Sequence, residues 1–286
     1  MSHLAAICDA IDFVEDNLKE EITVAAMADA ASYSLYHFCR TFNRVVHHTP
    51  YDYLMRRRLS ESARELRETD KRIIDVAFEY RFNSPETYSR AFKRMFGVQP
   101  SQWRGRTGVL DRRQLLSRLT PAHLARFGRE ERLGPVLEAL GTIHIAGVMT
   151  VGGHDPSRVT DLWQILRRIA RPAGLETGIR YGVTCYPPGW ESEGCFYVAG
   201  VEIPSPDIPD TALVTKTLPA GRYARFIHRG GREALELTRD YIYQTWLPKS
   251  GERLAQPFEL ERYGEAMGGR DGSVTEWEVL VPVEPK

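Results

Sequence analysis

The chain has 286 residues, of which 42% are hydrophobic and 27% charged, with 38 Lys+Arg balanced by 38 Asp+Glu. That length suits two ordinary domains, and a chain neutral overall is no generic polyanion binder. It contains no run of about 18 or more apolar residues, so no transmembrane helix is expected. Met1-Ser2-His3-Leu4 lacks the basic-then-apolar order of a signal peptide, which makes the cytoplasm the expected location.

The neutral total hides an asymmetry. Residues 1–31 hold one Lys and seven acids, whereas residues 32–106 hold fifteen Lys/Arg against eight acids, a surplus of seven. A basic segment of that size fits phosphate contacts, which supply most non-specific affinity for DNA. Cys8, Cys39, Cys185 and Cys195 form no Cys-x-x-Cys pair and have no His at zinc spacing, so free thiols and no metal are expected.

In chain order, Leu4, Ile7, Cys8, Ile11, Val14 and Leu18 recur at helical period. Thr23 is placed to cap a helix from Val24 to Ala30. After a turn at Ala31-Ser32-Tyr33, Ser34 opens a helix to about Val46. Thr49-Pro50 opens a long helix to about Glu68, which reads as a rigid connector carrying Arg56, Arg57, Arg58, Arg64 and Arg67. The plan then repeats. Asp70 is placed to cap a helix through Ile73 and Phe78, a turn follows at Tyr80-Arg81-Phe82-Asn83, and Ser84-Pro85 opens a helix ending near Gly97. A short helix at Pro100–Arg104 closes the segment.

Ser34 to Phe42 and Ser84 to Phe92 share the pattern Ser-x-x-x-aromatic-x-Arg-x-Phe, fifty residues apart. Together with the breaks before them they outline two helix-turn-helix units. Periodicity puts Phe38, Phe42, Tyr88, Phe92 and Met95/Phe96 inward. It puts Tyr36, Cys39, Arg40 and Asn43 outward on the first recognition helix, and Glu86, Thr87, Arg90 and Arg94 on the second. Those residues are the candidate DNA contacts. Arg40 and Arg90 lead them, because Arg bridges guanine O6 and N7.

Residues 22–104 resemble the two-motif DNA-binding domain of the AraC family of transcription regulators. The run Ala77-Phe78-Glu79-Tyr80-Arg81-Phe82-Asn83-Ser84 through Arg90-Ala91-Phe92-Lys93-Arg94-Met95-Phe96-Gly97-Val98-Gln99-Pro100 carries the resemblance. Two departures stand out. The turn position that is often Gly in the family is Ser32 in one unit and Arg81 in the other. Pro85-Glu86 occupies the groove-facing start of the second helix, so base preference does not carry over from relatives. The resemblance implies double-stranded DNA as a partner, and regulation implies RNA polymerase as another.

Residues 107–135 are polar, Arg-rich and punctuated by Gly108, Pro121, Gly128, Gly134 and Pro135, and read as a linker. Beyond them the pattern is strand, helix, strand, strand, twice. The first round is 142–151, helix 157–169, 179–186 and 195–203. The second is 213–218 with 221–228, helix 233–246, 257–263 and 275–282. An antiparallel sheet with two helices follows. There is no Walker motif and no His-Glu-x-x-His, and no cofactor is expected. Aromatics are dense here, among them Trp163, Tyr181, Trp190, Tyr197, Tyr223, Trp246, Tyr263 and Trp277, which suits an aromatic-walled ligand cavity.

Tyr197-Val198-Ala199-Gly200-Val201-Glu202, Leu218-Pro219-Ala220-Gly221-Arg222-Tyr223, Trp246-Leu247-Pro248 and Glu261-Arg262-Tyr263 resemble the GyrI-like effector-binding domain over about residues 136–284. That resemblance implies a pseudo-twofold βαββ repeat. It places Glu261 in a cleft meeting a cationic or polar small molecule, with Glu259 as the alternative should the strand register slip by two. Trp246, Tyr263 and Tyr197 are the other effector-site candidates. The fold class expected is thus α followed by α+β: a helical double helix-turn-helix domain (1–106), a linker (107–135) and a GyrI-like domain (136–286). The expected function is a transcription regulator responding to a small, cationic or aromatic molecule, with no membrane partner. The alternative is a hydrolase of strained or electrophilic molecules, with Glu261 as general base.

Overall fold

The computed structural model describes residues 3–105, 113–127, 134–152, 155–170, 175, 178–187, 194–207, 212–264 and 276–286. Trp190 and His154 lie outside these. The chain divides into two compact units, one of residues 1–131 with 239–246 and the other of residues 132–238 with 247–286. No helix among the described residues is long and apolar enough to cross a membrane.

The first unit is helical. Its elements are α1 (His3–Asp16), α2 (Val24–Ala30), α3 (Leu35–Val46), α4 (Pro50–Glu68), α5 (Ile73–Glu79), α6 (Pro85–Phe96), α7 (Pro100–Arg104) and α8 (Pro121–Phe127). The caps follow the sequence signals: the Thr23 and Thr49 side chains accept from Ala26 N and Asp52 N, and Ser84 accepts from Thr87 N. Asp70 does not cap α5; Arg72 holds that position, and its side chain makes no capping bond to the helix backbone.

The two helix-turn-helix units share backbone geometry as well as pattern. Ser32 and Arg81 both take left-handed φ, 55° and 61°. In the residue that follows, Tyr33 N donates to Ala28 O and Phe82 N to Ala77 O. Each recognition helix also ends left-handed, α3 at His47 (φ 59°) and α6 at Gly97 (φ 76°). Phe38, Phe42, Tyr88, Phe92 and Phe96 are buried, as their spacing requires.

On the connector helix, Arg57 and Arg58 are buried, 4% and 6% exposed. Arg57 is bidentate to Glu15 at 2.7 and 2.6 Å, and Arg58 Nε donates to Leu18 O at 2.9 Å. Both pin α4 to the end of α1, and neither adds to a DNA-facing charge. The stretch read as a linker is, over its described part, packed. Leu115, Leu116, Leu119, Leu124 and Phe127 are buried, and Leu116 N donates to Ser60 Oγ. Single apolar residues among arginines carry no periodic signal, yet each fills a gap between helices that are already amphipathic.

The second unit is α+β. It contains β1 (Val136–Leu140), β2 (Ile143–Val151), α9 (Pro156–Ala170), β3 (Arg180–Cys185), β4 (Phe196–Ile203), β5 (Val214–Leu218) and β6 (Gly221–Arg229). A 3₁₀ turn at Arg232–Ala234 leads into α10 (Leu235–Asp240), which continues as a π-helical turn, Tyr241–Trp246, inside the first unit. The strands β7 (Glu252–Leu254), β8 (Phe258–Tyr263) and β9 (Glu276–Pro285) complete the chain.

Strand order is β1-β6-β9-β8-β3-β4-β2-β5, with β7 on β9 and every pair antiparallel. Read outward from the β8·β3 pair, β9, β6 and β1 on one side match β4, β2 and β5 on the other. This is the expected internal repeat, with its pseudo-twofold between β3 and β8. Alternation along the strands separates two faces. One face carries Tyr181, Val183, Val198, Leu260 and Leu280. The other carries Tyr197, Ala199 and Val201 packed on α9 through Val159, Leu162 and Leu166.

Candidate functional site

On the first unit, α3 presents Tyr36, Arg40 and Asn43 to solvent, with Cys39 half-buried beside them. The buried partners Phe38 and Phe42 hold the opposite face of the same helix. Tyr36 is 73% exposed, unusual for an aromatic with no protein to cover it. The Arg40 guanidinium lies 5.7 Å from the Tyr36 ring centroid, and its Nη1 is 3.4 Å from the Tyr36 hydroxyl. On α6, Glu86, Thr87, Arg90 and Arg94 are all exposed. Glu86 sits in the first turn, where a hydrogen bond from Ser84 and its own backbone N–H lower its carboxyl. That anchoring keeps a negative charge at the helix entry. Each recognition helix thus exposes Arg at the same places in the repeat, Arg40 with Arg90 and Arg44 with Arg94.

The second unit holds a buried polar cluster centred on Glu261. In β8, Glu259 and Glu261 share one face and pair with Thr184 and Gly182 of β3. Both are 1% exposed, and aromatic hydroxyls meet Glu261. Tyr197 donates to its Oε2 at 3.2 Å, and the Tyr263 hydroxyl also donates to Oε2. Tyr197 reaches it because β3 carries Gly182 there: a Cβ at Gly182 would stand 1.9 Å from the Tyr197 hydroxyl. Trp163 of α9 donates its Nε1 to the same hydroxyl at 3.2 Å and meets the Tyr263 ring edge-on at 5.3 Å. Trp277 of β9 packs against Tyr263 at 5.7 Å. Burial first, then the Glu261 charge, pushes the Tyr197 and Tyr263 hydroxyls well above the ordinary tyrosine range, so both remain donors.

A residue that the sequence did not single out completes the cluster. Arg232 Nη1 and Nη2 donate to Glu261 Oε1 and Oε2 at 3.2 and 2.7 Å, a bidentate pair. Its Nη2 also donates to the Tyr263 hydroxyl. Arg232 follows Gly230, whose φ of +113° lets the chain reverse out of β6. The only signal that could have found it is the Gly-Gly-Arg sequence at 230–232, which by itself marks a turn. Of the four effector-site candidates, Glu261, Tyr197 and Tyr263 come together. Trp246 is half-buried in the first unit, with the segment 239–246. Trp163 and Trp277 supply the indoles that meet Tyr197 and Tyr263 within the second unit.

Comparison with known proteins gives one match for each unit. Residues 27–106 match a helix-turn-helix domain family, and residues 135–284 match the GyrI-like small molecule binding domain family. Regulatory protein SoxS of Escherichia coli (strain K12) is 36% identical over 106 residues, 37% of this chain and 99% of that protein. The Transposon Tn10 TetD protein of Escherichia coli is 36% identical over 102 residues, 36% of this chain and 74% of that protein. The Right origin-binding protein of Escherichia coli (strain K12) is 38% identical over 104 residues, and the match spans 36% of each chain.

Proposed function

Because the chain belongs to the AraC family of DNA-binding transcription regulators and to the GyrI-like small molecule binding family, we propose that α3 and α6 read successive major grooves and that the Glu261 cluster is the effector site. The observation that carries the first part is the repeated frame. Two helices with the same turn, the same inward aromatics and the same left-handed exit expose arginines at equivalent places, Arg40 with Arg90 and Arg44 with Arg94. A single chain then spans a complete site without a dimer partner. Tyr36, Cys39, Arg40 and Asn43 read one half, and Glu86, Thr87, Arg90 and Arg94 the other. Contact with RNA polymerase and action in the cytoplasm are part of the same proposal, as regulation of transcription requires.

Arg40→Ala and Arg90→Ala should each weaken specific binding by roughly 1–3 kcal/mol and relax preference at one base pair. The two affected positions should lie about one helical turn, roughly 10 bp, apart. Selection of the intact protein and both variants against random duplexes measures this. Loss at a single shared position, or no sequence preference at all, sinks the reading.

The effector-site part rests on buried aromatics and a buried carboxylate gathered on one sheet face beside the pseudo-twofold. The hydrolase reading is not favoured. A general base needs an oxygen open to water, and the two oxygens of Glu261 already accept from Arg232, Tyr197 and Tyr263.

A further inference from the structure

The two recognition helices agree where they carry arginine and differ where they begin. Fifty residues apart, Arg40 matches Arg90 and Arg44 matches Arg94, but Tyr36 in the first turn of α3 is matched by Glu86 in the first turn of α6. Residues at the N-terminal end of a recognition helix are the ones that meet base edges. The second helix therefore presents an acid to a polyanion, from a segment otherwise rich in Lys and Arg.

Glu86 is exposed, and its neighbours hold it at the helix entry. Pro85 precedes it at the start of the helix, with no N–H to offer. Ser84 caps α6 by accepting from Thr87 N at 3.2 Å. Ser84 and the Glu86 backbone N–H also hydrogen-bond the Glu86 carboxyl and hold it below the ordinary glutamate range. The group is thus ionised at neutral pH and is an acceptor only. A carboxylate has about four acceptor positions, so these bonds leave it able to take a further donor. Arg90 stands four residues later on the same side of the helix, and its charge acts on Glu86 as well. That charge offsets part of the repulsion between the acid and nearby phosphates.

An acceptor-only group discriminates sharply among base edges in the major groove. Guanine shows it two acceptors, N7 and O6. Thymine shows O4 and a methyl group. Adenine shows a donor at N6 beside an acceptor at N7. Cytosine alone shows a donor, N4, with no acceptor on the same base. Tyr36 has an apolar ring and a hydroxyl that both donates and accepts, so it carries no such requirement. The acid works largely by exclusion, repelling the wrong edges more than it attracts the right one.

Building on the groove-reading proposal above, we infer that Glu86 is a specificity residue that requires cytosine in the half-site read by α6, and that the half-site read by α3 has no matching requirement. The two half-sites then differ although the helices are repeats, and that difference fixes the orientation of the chain on its site.

Selection of the intact protein on random duplexes, followed by titration of the selected duplex and its single-base-pair substitutions, tests this. Wild type should require C at one base pair close to the pair that Arg90→Ala relaxes, and any other base there should weaken binding about tenfold or more. Glu86→Gln should turn the preference at that pair to A, since an amide is bidentate to adenine N6 and N7. Glu86→Ala should bring all four bases there to within about threefold. It should also raise affinity for an unselected duplex, because a negative charge has left the phosphate-facing surface. Neither variant should alter preference in the half-site that Arg40→Ala relaxes. A Glu86 that only capped the helix would shift all affinities together and leave base preference unmoved, and that result overturns the inference. Selection of A, G or T at the pair that the Glu86 variants affect overturns it equally. Groove reading survives both outcomes as long as Arg40→Ala and Arg90→Ala each relax a pair. If no variant changes preference at any pair, groove reading fails and the inference falls with it.

Discussion

At the scale of single residues, the Glu261 cluster depends on an absence. Tyr197 belongs to β4 and Glu261 to β8, and β3 runs between them. The tyrosine crosses that strand only because residue 182 is glycine. A methyl group there would lie 1.9 Å from the Tyr197 hydroxyl oxygen and 2.7 Å from Cζ. Neither distance is tolerable, and β3 is a central strand that cannot retreat. Gly182→Ala should therefore destabilise the second unit by about 1–3 kcal/mol, as overpacking does, and expel the hydroxyl from Glu261. In a Tyr197→Ala background the same substitution should cost much less, because the clash is gone. Thermal unfolding of the four proteins in that cycle measures the coupling. Additive losses would mean that Tyr197 is not what Gly182 makes room for.

At the scale of elements, the helix-turn-helix turns are held in a conformation their residues do not favour. Ser32 and Arg81 sit at φ 55° and 61°, where a Cβ crowds the following carbonyl at a cost of about 1–2 kcal/mol. Arg81 has compensation: its Nε donates to Lys19 O at 2.6 Å and its Nη2 to Glu20 at 2.9 Å. Ser32 is exposed, and its turn is made by backbone bonds alone. Ser32→Gly should accordingly stabilise the first unit by about 0.5–1 kcal/mol after the extra entropy glycine loses on folding. Arg81→Gly should come out near neutral. Denaturant melts of both variants decide it, and equal gains would show that the arginine contacts contribute nothing.

The same elements show which parts of the fold could be read in advance. The helices α2, α3, α4 and α6 and the strands β2, β4 and β8 were legible within a residue or two, because caps and periodicity are local signals. The segment Pro121–Phe127 and the strand Val136–Leu140 were not. Both are short, and their apolar residues are spaced by contacts with distant helices or with β6, not by a period of their own. At the site, Glu261, Tyr197 and Tyr263 were legible through the family resemblance. Arg232 was not, since its partner is 29 residues away and an arginine after two glycines reads as a solvated turn residue.

For the molecule as a whole, the boundary between its two units does not follow one cut in the chain. Residues 239–246 leave the second unit after Thr238 and return to it at Leu247. Within the first unit their contacts are specific. Tyr241 packs its ring 5.4 Å from Phe127 and 5.9 Å from His47. Asp240 Oδ2 lies 3.0 Å from His123 Nε2, and Gln244 Oε1 accepts from Ser117 N at 3.0 Å. A fragment ending at residue 131 keeps the recognition helices and loses all four contacts. It should still bind DNA, because α3 and α6 carry their own cores. Its residues 113–127, however, should lose much of their hydrogen-exchange protection, since Phe127 and His123 would face water in place of Tyr241 and Asp240. The intact chain offers a cleaner test, because Tyr241→Ala removes the ring without removing the segment. Truncating a large buried ring typically costs about 3–5 kcal/mol, and the loss should appear as faster exchange across 113–127. Unchanged exchange there would mean that α8 is held by the other helices alone and that residues 239–246 belong with the sheet.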